Sequence, residues 1–206
     1  MPRYKSLLRW EPFPYLLLLV VLLLTGFVRP SSPPWLLWPL VLGIAACLAW
    51  IAVKVAQERR PANPDQWGNL SSLADLRLVD APGAEREVRA VVHVEDAQRH
   101  QAAIELARIH GGPDQHAVLV PRASRWLSMR YRIGVELVGG AERGDRPRHA
   151  GFLRHDAEER WGALLDTRGA AGEYLRVPAR ITGESRPFGV ELDLSGAEAL
   201  EPGDAA

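Results

Sequence analysis

Residues 35–53, WLLWPLVLGIAACLAWIAV, form a 19-residue run without a charge, and residues 13–28, FPYLLLLVVLLLTGFV, form a 16-residue one. A helix needs about 20 apolar residues, within a range of roughly 17–25, to cross a hydrocarbon core of ~30 Å. The second run has that length, and Trp10 and Pro12 carry the first towards it. Trp35, Trp38 and Trp50 fall where interfacial aromatic rings sit, and Pro39 lies in the first turn, where the N–H it lacks has no partner. Between the runs, RPSSPP at 29–34 reads as a tight turn with no room for a domain. The pattern predicts a transmembrane helical hairpin in residues 1–56, with spans of about 13–29 and 35–54. A cleaved signal peptide shares the basic flank and apolar core of the first run, but no small-x-small pattern follows Thr25-Gly26. Gly43, Ala45, Ala46 and Ala49 are small enough for close helix approach, which suits another membrane protein as partner.

Arg3, Lys5 and Arg9 precede the hairpin and Lys54, Arg59 and Arg60 follow it, whereas the turn holds only Arg29. That bias predicts an integral inner (cytoplasmic) membrane protein with both termini cytoplasmic. Residues 1–60 contain seven Lys/Arg and two Asp/Glu, leaving 18 and 23 of the 25 of each for the rest, a formal charge of −5. A mildly acidic soluble part argues against sequence-blind nucleic-acid binding, which draws its strength from many cationic contacts to phosphate. Cys47 is the single cysteine, so the chain builds neither an internal disulfide nor a cysteine zinc site.

Residues 57–75 mix Pro, Asn, Gly and Ser without apolar periodicity and read as a linker. The soluble domain spans 76–195. Residues 86–94 (REVRAVVHV), 116–120, 131–138, 149–153, 174–182 and 188–194 are short, β-prone and punctuated, and read as strands. Residues 96–110 have helical spacing, with Asp96 as N-cap and Gly111-Gly112 as stop; residues 156–165 form a second helix with Ala157, Trp161, Leu164 and Leu165 on one face. Glu158 and Glu159 read as first-turn acids that complement the helix dipole. The tail, 196–206, is acidic and small and reads as disordered. The predicted class is α+β: a two-helix transmembrane hairpin followed by a small, mostly-β, barrel-like domain with two helices.

Four stretches carry a family resemblance: Val91–Gly112, Ala117–Pro121 (AVLVP), Ala150–Leu165 (AGFLRHDAEERWGALL) and Val177–Leu194 (VPARITGESRPFGVELDL). In order and pattern they resemble the HIRAN domain. The resemblance implies a compact β-barrel module, and in helicase-linked members such a module captures the 3′ end of single-stranded DNA. There an aromatic ring stacks a base and an acidic side chain receives the terminal hydroxyl. The corresponding region here, SRWLSMRYRIGV at 124–135, keeps Trp126 and Tyr131 but has no Asp or Asn.

Nine arginines occur in residues 122–160 against six acids, with aromatic residues among them. Arginine beside exposed rings suits single-strand binding, because guanidinium groups track phosphate while rings stack bases. The candidate nucleic-acid or anion-binding residues are Arg122, Arg125, Trp126, Arg130, Tyr131, Arg132, Arg148 and Arg154. Anionic lipid headgroups would meet the same residues near a membrane. An ordinary solvated face with Tyr131 and Phe152 in the core explains the pattern with no ligand, as most scattered charge needs no special explanation. The six histidines lack metal-binding spacing, and no nucleophile elbow or phosphate loop occurs. The sequence therefore leads us to expect a non-enzymatic, membrane-tethered binding module without a cofactor or metal, or else a membrane scaffold with no nucleic-acid role.

Overall fold

The computed structural model describes residues 3–28, 33–58, 62–65, 67–74, 76–81, 91–125, 127–139 and 146–200. The chain divides into two compact units, one of residues 4–61 and 126–130, the other of residues 1–3, 62–125 and 131–206.

The first unit is built on helices α1 (Phe13–Thr25) and α2 (Pro34–Glu58). Phe13 sets its ring edge-on to Trp50 at 5.9 Å, and Gly43 lies close enough to α1 that an added Cβ would sit 3.6 Å from Val21 Cγ1. Cys47 is buried, while Leu22, Leu23, Leu42, Leu48 and Val53 stay exposed. Within α2, the stretch Leu37–Glu58 is long and apolar enough to cross a membrane: its 22 residues rise ~33 Å. The 13 residues of α1 rise only ~20 Å, shorter than the predicted span to residue 29. The helix stops because Thr25 turns its hydroxyl onto the Leu22 carbonyl (2.6 Å) and Gly26 follows. The predicted turn at 29–34 falls largely outside the described residues.

The second unit is a closed barrel. Its strands are β1 (Arg77–Asp80), β2 (Val91–Glu95), β3 (Asp114–Ser124), β4 (Tyr131–Leu137), β5 (Arg148–Leu153), β6 (Glu173–Thr182) and β7 (Gly189–Asp193). Antiparallel pairing runs β6-β3-β4-β5-β2-β7 and returns from β7 to β6, so six strands close on themselves; β1 adds in parallel outside β6. Closure leaves these six strands without an open edge. Alternation places Ala117 and Leu119 of β3, Ile133, Val135 and Leu137 of β4, and Leu175, Val177 and Ile181 of β6 in one core. Helices α3 (Gln101–Gly111) and α4 (His155–Ala170) contribute Ile104, Ala107, Ala157, Trp161 and Leu165 to that core.

Several expectations need correction. The segment read as a linker is packed: Leu70 is buried with Val118, Val120 and Val138, and Leu73 and Leu76 join them. Side chains stitch its backbone, Asn63 accepting from Ser71 N–H and Asp65 from the Trp67 and Asn69 N–H groups. This segment covers the second face of β3, which explains why that strand is apolar on both sides. Strand β1 was missed because four residues with an exposed end carry little pattern. Asp96 does not cap α3. It sits at φ +63 with its carboxylate 3.1 Å from Arg125 Nη1, and the helix begins one 3-10 turn later, after His100. Helix α4 starts from Arg154 rather than an acidic cap and runs five residues past 165. Ser195–Leu200 is a 3-10 helix with Ala197 buried, so the first part of the tail is ordered by packing; residues 201–206 lie outside the described residues, as do 86–90 of the first predicted strand.

Candidate functional site

Seven of the eight residues predicted for an anion-binding face are among the described residues. Trp126 lies outside the described residues, and Arg130 belongs to the helical unit. In the barrel unit, Arg125 pairs with Asp96, Arg154 Nη2 lies 2.9 Å from Asp156, and Arg122 Nε lies 4.0 Å from Asp166. Tyr131 is half-buried and uses its backbone N–H to reach the Arg3 carbonyl. Arg148 sits opposite Leu137, five residues along β4 from Arg132, or ~17 Å. Arg148 therefore stands apart from Arg132.

Arg132 is structural. Its Nε donates to Glu158 Oε1 at 2.8 Å, and its Nη2 donates to Glu95 Oε2 at 2.8 Å and to the Leu153 carbonyl at 2.7 Å. Glu158, with a fully buried side chain, also accepts the Ile133 N–H at 2.8 Å. Burial works against the charge on Arg132, but the two carboxylates outweigh it and hold its pKa above the ordinary value. Glu158 lies in the first turn of α4, as expected, and is in addition the buried partner of Arg132.

A different group of residues converges on a cavity of about 530 Å³ in the barrel unit, within the range of small-molecule sites. One wall is the stitched segment, with Asp65, Asn69 and Ser71; Ala103 of α3 lies across from it. Arg146 and Arg148 border it where the chain enters β5. Glu136 of β4 and His149 of β5 complete the lining.

Register explains that pair. Val135 faces Gly151 but Glu136 faces His149, so β5 carries one extra residue, Ala150, at a bulge. Bulges re-aim side chains, and this one sets His149 Nδ1 2.7 Å from Glu136 Oε1. Glu136 Oε2 is buried and makes no hydrogen bond of normal geometry among the described residues. The His149 ring meets the edges of His100 (centroids 4.6 Å) and Phe152 (5.2 Å). Burial pushes the Glu136 carboxyl above the usual range, against the pull of His149. Burial and the neighbouring His149 push His100 below its ordinary value. Among the described residues no group of three or more His, Cys, Asp or Glu side chains suits a metal ion.

Such a site offers a buried acceptor, an imidazole and cationic residues at its border. It suits a compact ligand that carries both negative charge and an O–H or N–H donor. The sequence did contain a signal: Glu136 is the one acid within the strand-like run YRIGVELV. Because the fold raises its pKa, Glu136 contributes stability that is present below the unfolded value of 4.5 and lost as pH rises through the folded one. Glu136→Gln, which cannot ionise, is therefore expected to gain stability relative to the parent as pH rises above the unfolded value of 4.5. Thermal melts of the full chain in detergent check this; a difference that does not change with pH rejects the raised value.

No protein-family model matches this chain, and no curated protein and no solved structure matches it.

Proposed function

We propose that the protein is a membrane-tethered binding module. In this reading α1 and α2 form a membrane hairpin with both termini cytoplasmic, and the barrel takes the end of a single-stranded nucleic acid into the Glu136–His149 cavity. The cavity is the observation that carries the reading. A pocket of this volume holds about one nucleotide-sized group, which favours a chain end over a long tract. The ion pairs of Arg125, Arg132 and Arg154 also remove the continuous basic track that a tract needs. A barrel with two helices agrees with a HIRAN-like module, and Glu136 supplies the acid that residues 124–135 lack.

The test is fluorescence anisotropy of the full chain in lipid nanodiscs, with labelled single-stranded DNA whose 3′ end is free or blocked. The expected result is salt-sensitive binding that prefers the free end and weakens at least several-fold in Ala103→Trp, which fills the cavity from α3. Equal binding of both ends, or none at low salt, sinks the reading. A scaffold is the second reading, favoured by Ala45, Ala46 and Ala49, which stay exposed on α2 after α1 has packed on Gly43. Failure with DNA joined to specific crosslinking of those positions to a membrane protein would select it.

A further inference from the structure

The segment between β3 and β4 folds with the chain that leads into α1: residues 127–130 belong to the same compact unit as the two helices. The Lys5 N–H donates to the Met129 carbonyl at 2.7 Å, the Trp10 indole N–H donates to the Leu127 carbonyl at 3.1 Å, and Tyr4 forms a β-bridge with Arg130. Lys54 Nζ, on α2, donates to the Trp10 carbonyl at 3.3 Å. Lys5 itself is buried against Glu11, 2.6 Å away, so the short segment before α1 is a folded structure rather than a loose arm.

These bonds gather five large apolar side chains that remain exposed by 37–66%: Tyr4, Leu7, Leu8, Leu127 and Met129. Isolated exposed apolar residues are ordinary, but a contiguous group marks a surface made for an apolar partner. Arg9, Arg130 and Lys54 stand among them, and Trp10 lies within the same network. Apolar side chains mixed with cations and an indole form the composition of the headgroup layer, where rings and cationic heads meet lipid phosphate. The network is continuous with the two apolar helices, which fixes the kind of partner: lipid rather than a protein in solution.

We infer that residues 127–130 together with Tyr4–Leu8 form an interfacial lip that enters the headgroup layer of the cytoplasmic leaflet, with anionic phospholipid as its partner. The inference rests on the membrane-tethered reading of the helices. The lip gives the protein a second membrane contact, contributed by a segment far along the chain from the hairpin.

The experiment uses the full chain in a Cys47→Ala background, reconstituted into vesicles of phosphatidylcholine alone or with phosphatidylglycerol. Leu127→Cys, Met129→Cys, Leu42→Cys on α2 and Ile109→Cys on α3 each carry an environment-sensitive fluorophore. Lipids brominated near the headgroup or deep in the chain serve as quenchers. The expected result is shallow-lipid quenching at 127 and 129 several-fold above that at 109, a blue shift, and protection from aqueous iodide, all stronger with phosphatidylglycerol. Deep quenching at 42, with 127 and 129 no more quenched than 109, overturns the lip and leaves the tether standing. Lack of quenching at all four positions overturns both. Equal quenching in the two vesicle types overturns the preference for anionic lipid.

Discussion

Replacing Arg132 with alanine is expected to cost the barrel about 3–5 kcal/mol, because it strips the counter-charge from a carboxylate that has no access to water. Glu158 stays buried on α4 and keeps the Ile133 N–H bond, while Glu95 and the Leu153 carbonyl lose the Arg132 donor at the same time. Chemical denaturation of the full chain in detergent measures the loss. A drop under about 1 kcal/mol, the range of a surface ion pair, rejects the structural role. Arg132→Met combined with Glu158→Gln separates pairing from packing: the amide oxygen still accepts from Ile133 and the one carboxylate left without Arg132, Glu95, is exposed to water, so most of the stability is expected to return. A reader of the sequence would mutate Arg132 to weaken ligand binding. The expected phenotype is unfolding instead.

Gly151→Ala is the second large effect. Gly151 sits at φ +139, and a Cβ there would lie 2.2 Å from the Glu95 carbonyl oxygen and 2.9 Å from Val94 Cγ1, on the strand that closes the barrel against β5. Strain at such a backbone conformation costs about 1–3 kcal/mol and the forced separation of β5 from β2 a similar amount, so a loss of about 3 kcal/mol or more is expected. In a thermal melt that corresponds to a fall of roughly 10 °C. Gly172→Ala is the control: its φ is +76 and nothing lies within 4 Å of an added Cβ, so it feels the backbone strain without the collision. If the two variants lose equal stability, the close approach of β5 to β2 is not what requires glycine. Because Val135 faces Gly151 at the bulge, the substitution is also expected to separate Glu136 from His149 and abolish binding in the cavity.

The two apolar helices, α3, α4 and six of the seven strands were legible because each depends on local periodicity and on nearby stop signals. Gly112, at φ +83 after α3, ends that helix where the glycine pair placed its stop. Trp161 and Leu165 enter the core on the face that their spacing marked. Elements without a local pattern were misjudged. Residues 57–75 read as a linker by composition, yet Leu70 finds a buried site on the outer face of β3 because Val118 and Val120 already stand there. Ser195–Leu200 looks like a polar tail, yet Ala197 enters the core.

By itself the sequence determined which segments are long and apolar, where most regular elements lie to within about five residues, and that a β-rich domain follows two helices. Only the tertiary structure decided the fates of the charges. Arg132 and Arg148 are equivalent entries in a count of arginines, but α4 brings Glu158 to the first while the second borders a cavity. Glu136 and His149 lie 13 residues apart, on separate strands, and meet because one extra residue in β5 shifts the register. Local pattern reports how a segment prefers to fold, because that preference depends on neighbours along the chain. A side chain's partner depends on strand register and closure across the barrel, which no local window contains.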